Sequence, residues 1–172
     1  MLATGVLAAI GPALAAGAAP GASEDAPVLR VIAPVRDILV NTADLRGEAR
    51  VEVGPKQISV RLDSTVLFAK DSPRLRPAAR ARLREVAAQL RAKGPGRLLI
   101  VGYTDDLGSA QHGLVLSRRR AQSVAAALRP QLPAARDAFT VLGRGEADPV
   151  VRNDSESHRR VNRRVELRFT AR

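Results

Sequence analysis

From residue 50 onward, apolar positions recur with two different periods, and the switches between them mark out the elements. Val51 and Val53 alternate on one side of Gly54-Pro55, and Ile58, Val60 and Leu62 alternate on the other. A period of two belongs to a half-buried strand, so the pair predicts a hairpin. Beyond Pro73 and Pro77, Ala79, Leu83, Val86, Ala87 and Leu90 recur at the helix period until Gly94-Pro95-Gly96 ends the run. Leu98 to Val101 is a short, continuously apolar strand. A second helix follows, with Ser109 as N-cap, the stripe Ala121, Val124, Ala125 and Leu128, and Pro130 as its stop. Phe139 to Leu142 predicts a third strand, and Val165, Leu167 and Phe169, on alternate positions, a last one. This order predicts an α+β two-layer sandwich, βαβαββ, with two main helices packed on one mixed sheet.

Upstream the pattern is different. Met1 to Ile10 is apolar, and Gly11-Pro12-Ala13-Leu14-Ala15-Ala16 has the small-residue character of a signal-peptidase site, which predicts cleavage near Ala15. The leader lacks a positive n-region and is broken by Gly11 and Pro12, too short a stretch for a membrane span. Residues 16 to 27 are mostly Ala, Gly and Pro and cannot form a packed face, so they read as a tether. Val31, Ile32, Ile38 and Leu39 follow with no clean period. The expected organisation is a leader at 1–15, a tether and lead-in at 16–49, and one domain at 50–172. An exported protein follows, with no integral membrane domain once the leader is removed.

Composition narrows the chemistry. The absence of cysteine excludes disulfides, thiolate metal sites, a cysteine nucleophile and a lipidated cysteine. His112 and His158 are the only histidines and do not stand at a metal-ligand spacing, and there is no nucleophile elbow or P-loop. No enzyme, no cofactor and no metal site is expected. A formal charge of +11 raises the question of a polyanionic partner. Residues 74 to 97 hold seven Arg and one Lys against Glu85. Nucleic acid is nevertheless disfavoured, because the four aromatics, Phe68, Tyr103, Phe139 and Phe169, offer no stacking platform and three of them read as core. Charge-driven binding of an anionic polymer, a wall polyanion or nucleic acid, by a basic α/β domain stays open as an alternative.

A βαβ unit leaves its ligand crevice at the carboxyl ends of its strands, which points to the turn Gly102-Tyr103-Thr104-Asp105. Gly102 lets the backbone turn sharply there. Asp105 either caps that turn or presents a carboxylate at the mouth of the second helix. On that helix each residue advances about 100°. Arg119 therefore points away from the apolar stripe, while Arg118 and Arg120 flank it on opposite sides, and Arg120 can reach the crevice. A carboxylate and a guanidinium side by side form either a simple salt bridge or a receptor for a zwitterion, one taking an ammonium and the other a carboxylate.

Several ordered motifs then resemble the OmpA-like peptidoglycan-binding domain. Leu67-Phe68 with Ser72, Leu75 and Pro77 looks like its first strand end and helix opening. Gly102 to Asp105 with Gly108-Ser109 is similar to its Gly-His-Thr-Asp turn, and Leu116 to Ala121 to its Leu-Ser-x-x-Arg-Ala helix. Gly143 to Pro149 and Asn162-Arg163-Arg164-Val165-Glu166 resemble its closing motifs. The resemblance covers about residues 58 to 169. It implies that Asp105 and Arg120 bind meso-diaminopimelate in a peptidoglycan stem, with peptidoglycan as partner. Phe68 and Leu116 would line the crevice beside Thr104, and Asn162 and Arg164 would brace it. Two departures stand out. Tyr103 replaces the usual His, and Gly113 stands where an Asn is common, removing a hydrogen bond worth about 0.5 to 1.5 kcal/mol. His112 reads as a surface histidine. Oligomeric state is left open.

Overall fold

A computed structural model describes residues 40–43, 49–133 and 138–172. The expected leader, and most of the tether and lead-in, lie outside the described residues. Six described strands form one sheet: β1 (Val40–Ala43), β2 (Ala49–Val53), β3 (Gln57–Asp63), β4 (Gly96–Gly102), β5 (Phe139–Gly143) and β6 (Arg164–Ala171). Their order is β1-β2-β3-β6-β4-β5, with β4 and β5 parallel and every other neighbouring pair antiparallel. The sheet is mixed, as the α+β reading requires.

The last strand lies at the centre. β6 pairs with β3 so that Val165, Leu167 and Phe169 stand beside Leu62, Val60 and Ile58, and with β4 so that Leu167 and Phe169 stand beside Ile100 and Leu98. All eight of these side chains are at most 2% exposed. Each such Leu, Ile or Phe contributes about 1.5 to 3 kcal/mol by leaving water. The opposite sheet face carries Arg61, Glu166 and Arg168, as alternation along the strands dictates.

Against the apolar face pack α2 (Pro77–Ala92) and α3 (Ala110–Leu128). Pro77, with its fixed φ and no N–H to satisfy, opens α2; Pro73 lies outside it. The buried positions of α2 are Ala79, Leu83, Val86, Ala87 and Leu90. Ser109 caps α3 by accepting from the His112 N–H at 3.2 Å.

Four elements depart from the sequence reading. β1 falls in the expected lead-in and pairs with β2, so the sheet begins before residue 50. Its Val-Asn-Thr-Ala carries no alternation that could announce a strand. A one-turn helix, α1 (Ser64–Leu67), stands where Leu67-Phe68 was read as a strand end; Asp63 terminates β3 and caps the turn, accepting from the Thr65 N–H at 2.7 Å. A second short helix, α4 (Glu156–Asn162), interrupts the two closing strands. Finally, Gly102 is strand backbone and not a sharp turn. A Cβ there would lie 2.2 Å from the Ser117 carbonyl oxygen, and one on its strand partner Gly143 would lie 2.4 Å from the Arg118 backbone nitrogen. The two glycines let α3 settle directly on the ends of β4 and β5, which sets the height of its first two turns above the sheet.

Candidate functional site

Where β4 ends and α3 begins, a cleft of about 760 Å³ opens against the loop that follows α1. Phe68, Thr104, Asp105, Leu116 and Arg120 all line it. Asn162 and Arg164 do not.

Arg120 is 5% exposed. Its Nε donates to the Ser72 carbonyl at 3.1 Å and its Nη2 to the Ala69 carbonyl at 3.4 Å, and its guanidinium lies 5.2 Å from the centre of the Phe68 ring. Burial lowers its proton affinity, and the carboxylates of Asp71 and Asp105 act in the opposite direction from a distance. A guanidinium stays charged in spite of this. Its contacts are two neutral carbonyls and a ring; five N–H donors exceed what the two carbonyls accept.

Asp105 is held from two sides. Its Oδ1 accepts from the Leu107 N–H at 3.3 Å, which shapes the turn, and its Oδ2 accepts from Arg163 Nη1 at 2.6 Å. Arg163 also donates to Glu156 on α4. Burial acts against the charge of Arg163, and its hydrogen bonds to the Glu156 and Asp105 carboxylates, with their charges, outweigh it and raise its proton affinity. Each Asp105 oxygen retains a lone pair for a further donor. The cleft thus sets a carboxylate engaged by Arg163 beside a guanidinium engaged by carbonyls, and no ion pair joins Asp105 to Arg120 among the described residues.

Asn162 and Arg164 hold the neighbouring loop. The Asn162 amide oxygen accepts from the N–H groups of Val150 and Val151, and its nitrogen donates to Val151 O and Asn153 Oδ1. Arg164 donates to Glu166 at 2.8 Å and to the Asp148 carbonyl at 2.9 Å, and stacks on the Tyr103 ring at 3.6 Å. Tyr103 is therefore a partner of Arg164 and is not part of the cleft lining. Gly113 is: a Cβ there would lie 2.8 Å from the Thr104 hydroxyl, which is buried with no hydrogen-bond partner among the described residues. The glycine lets Thr104 pack against the first turn of α3.

Sequence reasoning missed Arg163 and the Asp71–His112 pair, whose Nε2 to Oδ1 distance is 2.6 Å at the cleft rim. Arg163 stands one residue before β6, where strand alternation does not yet set a direction. The loop carrying Asp71 has no apolar period to place it. No described group of three or more His, Asp or Glu side chains could hold a metal ion, and no described helix is long and apolar enough to cross a membrane.

Comparison with known proteins supplies the context. A model of the OmpA family matches residues 67–163, more than half of the chain and the stretch that contains Phe68, Asp105, Arg120 and Arg163. The outer-membrane lipoprotein YfiB of Pseudomonas aeruginosa is 37% identical over 107 residues, covering 62% of this chain and 62% of that protein. Outer membrane protein P5 of Haemophilus influenzae is 36% identical over 107 residues, covering 61% of this chain and 30% of that protein. The matched segment thus spans less than two thirds of either relative. Among solved structures, the cell wall anchor of the T6SS from Pseudomonas aeruginosa superposes with a TM-score of 0.66 at 30% identity, covering 74% of this chain and 90% of that one. The peptidoglycan-associated lipoprotein from Burkholderia pseudomallei does so with a TM-score of 0.53 at 26% identity, covering 67% and 90%.

Proposed function

The chain belongs to the OmpA family, and from that premise we propose that its domain binds peptidoglycan non-covalently in the cell envelope, taking the zwitterionic end of a meso-diaminopimelate stem between Asp105 and Arg120. The observation that carries this reading is the state of Arg120, a buried guanidinium whose polar and ring partners among the described residues are two carbonyls and Phe68, on the same cleft as a recessed carboxylate. A ligand carboxylate supplies the counter-charge that Arg120 lacks at close range, in the bidentate geometry a guanidinium favours. The ligand ammonium shares Asp105 with Arg163. The similarity to a cell wall anchor and to a peptidoglycan-associated lipoprotein supports the same reading. The role is one of anchoring, with no catalytic step.

The test is co-sedimentation of the full chain with insoluble peptidoglycan of the diaminopimelate and the lysine type, at about 0.15 M and about 1 M salt. Retention on the diaminopimelate type that survives high salt, and that falls about tenfold or more in both Asp105→Ala and Arg120→Ala, is the expected result. Retention that salt alone removes, and that both variants keep, assigns the binding to the basic surface and overturns the cleft.

A further inference from the structure

The rim of the cleft holds a histidine that the zwitterion site does not use. His112 lies in the first turn of α3, and its Nε2 meets Asp71 Oδ1 at 2.6 Å. Asp71 belongs to the loop whose Ala69 and Ser72 carbonyls hold Arg120. That loop is closed at its base by the Phe68–Leu75 bridge and by Arg76, whose N–H donates to the Leu67 carbonyl at 2.9 Å and whose Nε donates to the Phe68 carbonyl at 3.0 Å; within it the Ser72 N–H reaches the Ala69 carbonyl at 3.2 Å, and the Ser72 hydroxyl accepts from the Arg74 N–H at 3.1 Å. Asp71 itself has φ +52°, a left-handed backbone that a non-glycine residue holds only at some cost. None of these bonds engages the Asp71 side chain; His112 does, from outside the loop.

We propose that His112 is a positioning residue for the binding cleft: its clasp on Asp71 fixes the loop carbonyls that aim Arg120, and the clasp tightens as the imidazole gains a proton. The inference rests on the cleft being the binding site. With a neutral imidazole the contact is a hydrogen bond to a carboxylate; with a protonated one it becomes an ion pair as well. Asp71 remains ionised across the range in which imidazoles titrate, because its hydrogen bond to His112 and the charges of His112, Arg120 and Lys70 hold its carboxyl below the usual value. Arg120 from α3 and Lys70 from the loop also face Asp71, and Arg76, Asp105, Glu156 and Arg163 complete the charges of the cleft. Among the side chains that line the cleft, His112 is the one imidazole.

The experiment is calorimetric titration of the full chain with a soluble stem peptide ending in meso-diaminopimelate, at about pH 5.5 and about pH 7.5, with His112→Ala and Asp71→Asn in parallel. The expected result is binding about threefold tighter at the lower pH, with the ratio falling to about one in both variants. A ratio that Asp71→Asn preserves means that the imidazole meets the ligand directly and overturns the clasp. A second readout needs no ligand: the Arg120 Nε–H resonance, protected by the Ser72 carbonyl, should lose protection in His112→Ala and in Asp71→Asn, after correction for intrinsic exchange. Unchanged protection overturns the proposal. Loss of protection without any ligand binding would instead sustain the clasp and overturn the peptidoglycan reading.

Discussion

Arg120 and Arg164 are almost equally buried, at 5% and 4% exposed, yet they stand in opposite electrostatic situations. Arg164 has its counter-ion inside the protein, Glu166 at 2.8 Å, with the carbonyls of Asp148 and Asn162 and the Tyr103 ring beside it. Arg120 has two carbonyls, a ring, and carboxylates only at a distance. A buried charge that is paired and hydrogen-bonded serves the fold, because removing one partner strands the other. One that lacks a close counter-ion and lines an open cleft is suited to recruit its counter-ion from a ligand. The same residue type thus braces in one region and, in the function proposed above, receives in the other.

The largest expected effect tests this division directly. Arg164→Ala should destabilise the domain by about 3 kcal/mol, the low end for breaking a buried pair, because Arg61 and Arg168 remain near Glu166 at 3.4 and 3.1 Å. Arg120→Ala should cost about 1 kcal/mol, since it removes hydrogen bonds to carbonyls and strands no carboxylate at close range. Urea unfolding gives both values, and co-sedimentation of the folded variants gives the converse order. Equal losses of stability would erase the distinction.

How far each region could be read from the sequence follows from the same physics. The hydrophobic periods located β2 to β6 and the two main helices because burial of one face imposes them, and β6 at the sheet centre shows it in Val165, Leu167 and Phe169. The turn to Asp105 and the helical angle of Arg120 brought both to one cleft because helix geometry fixes direction. Arg163 and Asp71 escaped because they stand on connecting residues, where neither period applies. Gly102 reads locally as a turn, but it serves the close approach of α3, which depends on tertiary packing that no local pattern encodes.

A smaller effect concerns acid. Burial alone would raise the Glu166 carboxyl, but the hydrogen bond and charge of Arg164, with Arg61 and Arg168, outweigh it and leave its proton affinity below the ordinary value near 4.5. A depressed carboxyl stabilises the fold at pH above that ordinary value, and the contribution is lost as the pH falls through the lower folded value. Melting temperature measured from neutral pH down to about pH 3 should therefore fall less steeply in Glu166→Gln than in the parent chain. An unchanged acid slope would mean that other carboxylates govern acid unfolding and that the Arg164 brace is not held by charge.

The smallest expected effect is the sharpest probe of whether the two regions are separate. Tyr103 replaces a histidine common in the family, a departure that sequence alone could attach to ligand preference. In the structure its ring is 6% exposed and stacked on Arg164, with no described hydrogen bond from its hydroxyl. Tyr103→Phe keeps the ring and the cation–π contact, so stability should move by no more than about 0.5 kcal/mol. Retention on peptidoglycan should be unchanged, because the ring lies outside the cleft lining. Tyr103→Ala, by contrast, removes the ring that covers Arg164 and should cost about 3 kcal/mol while leaving the folded fraction competent to bind. If Tyr103→Phe weakened retention with stability intact, the brace and the cleft would be one coupled unit, and the contrast between Arg164 and Arg120 would have to be redrawn around the turn that connects them.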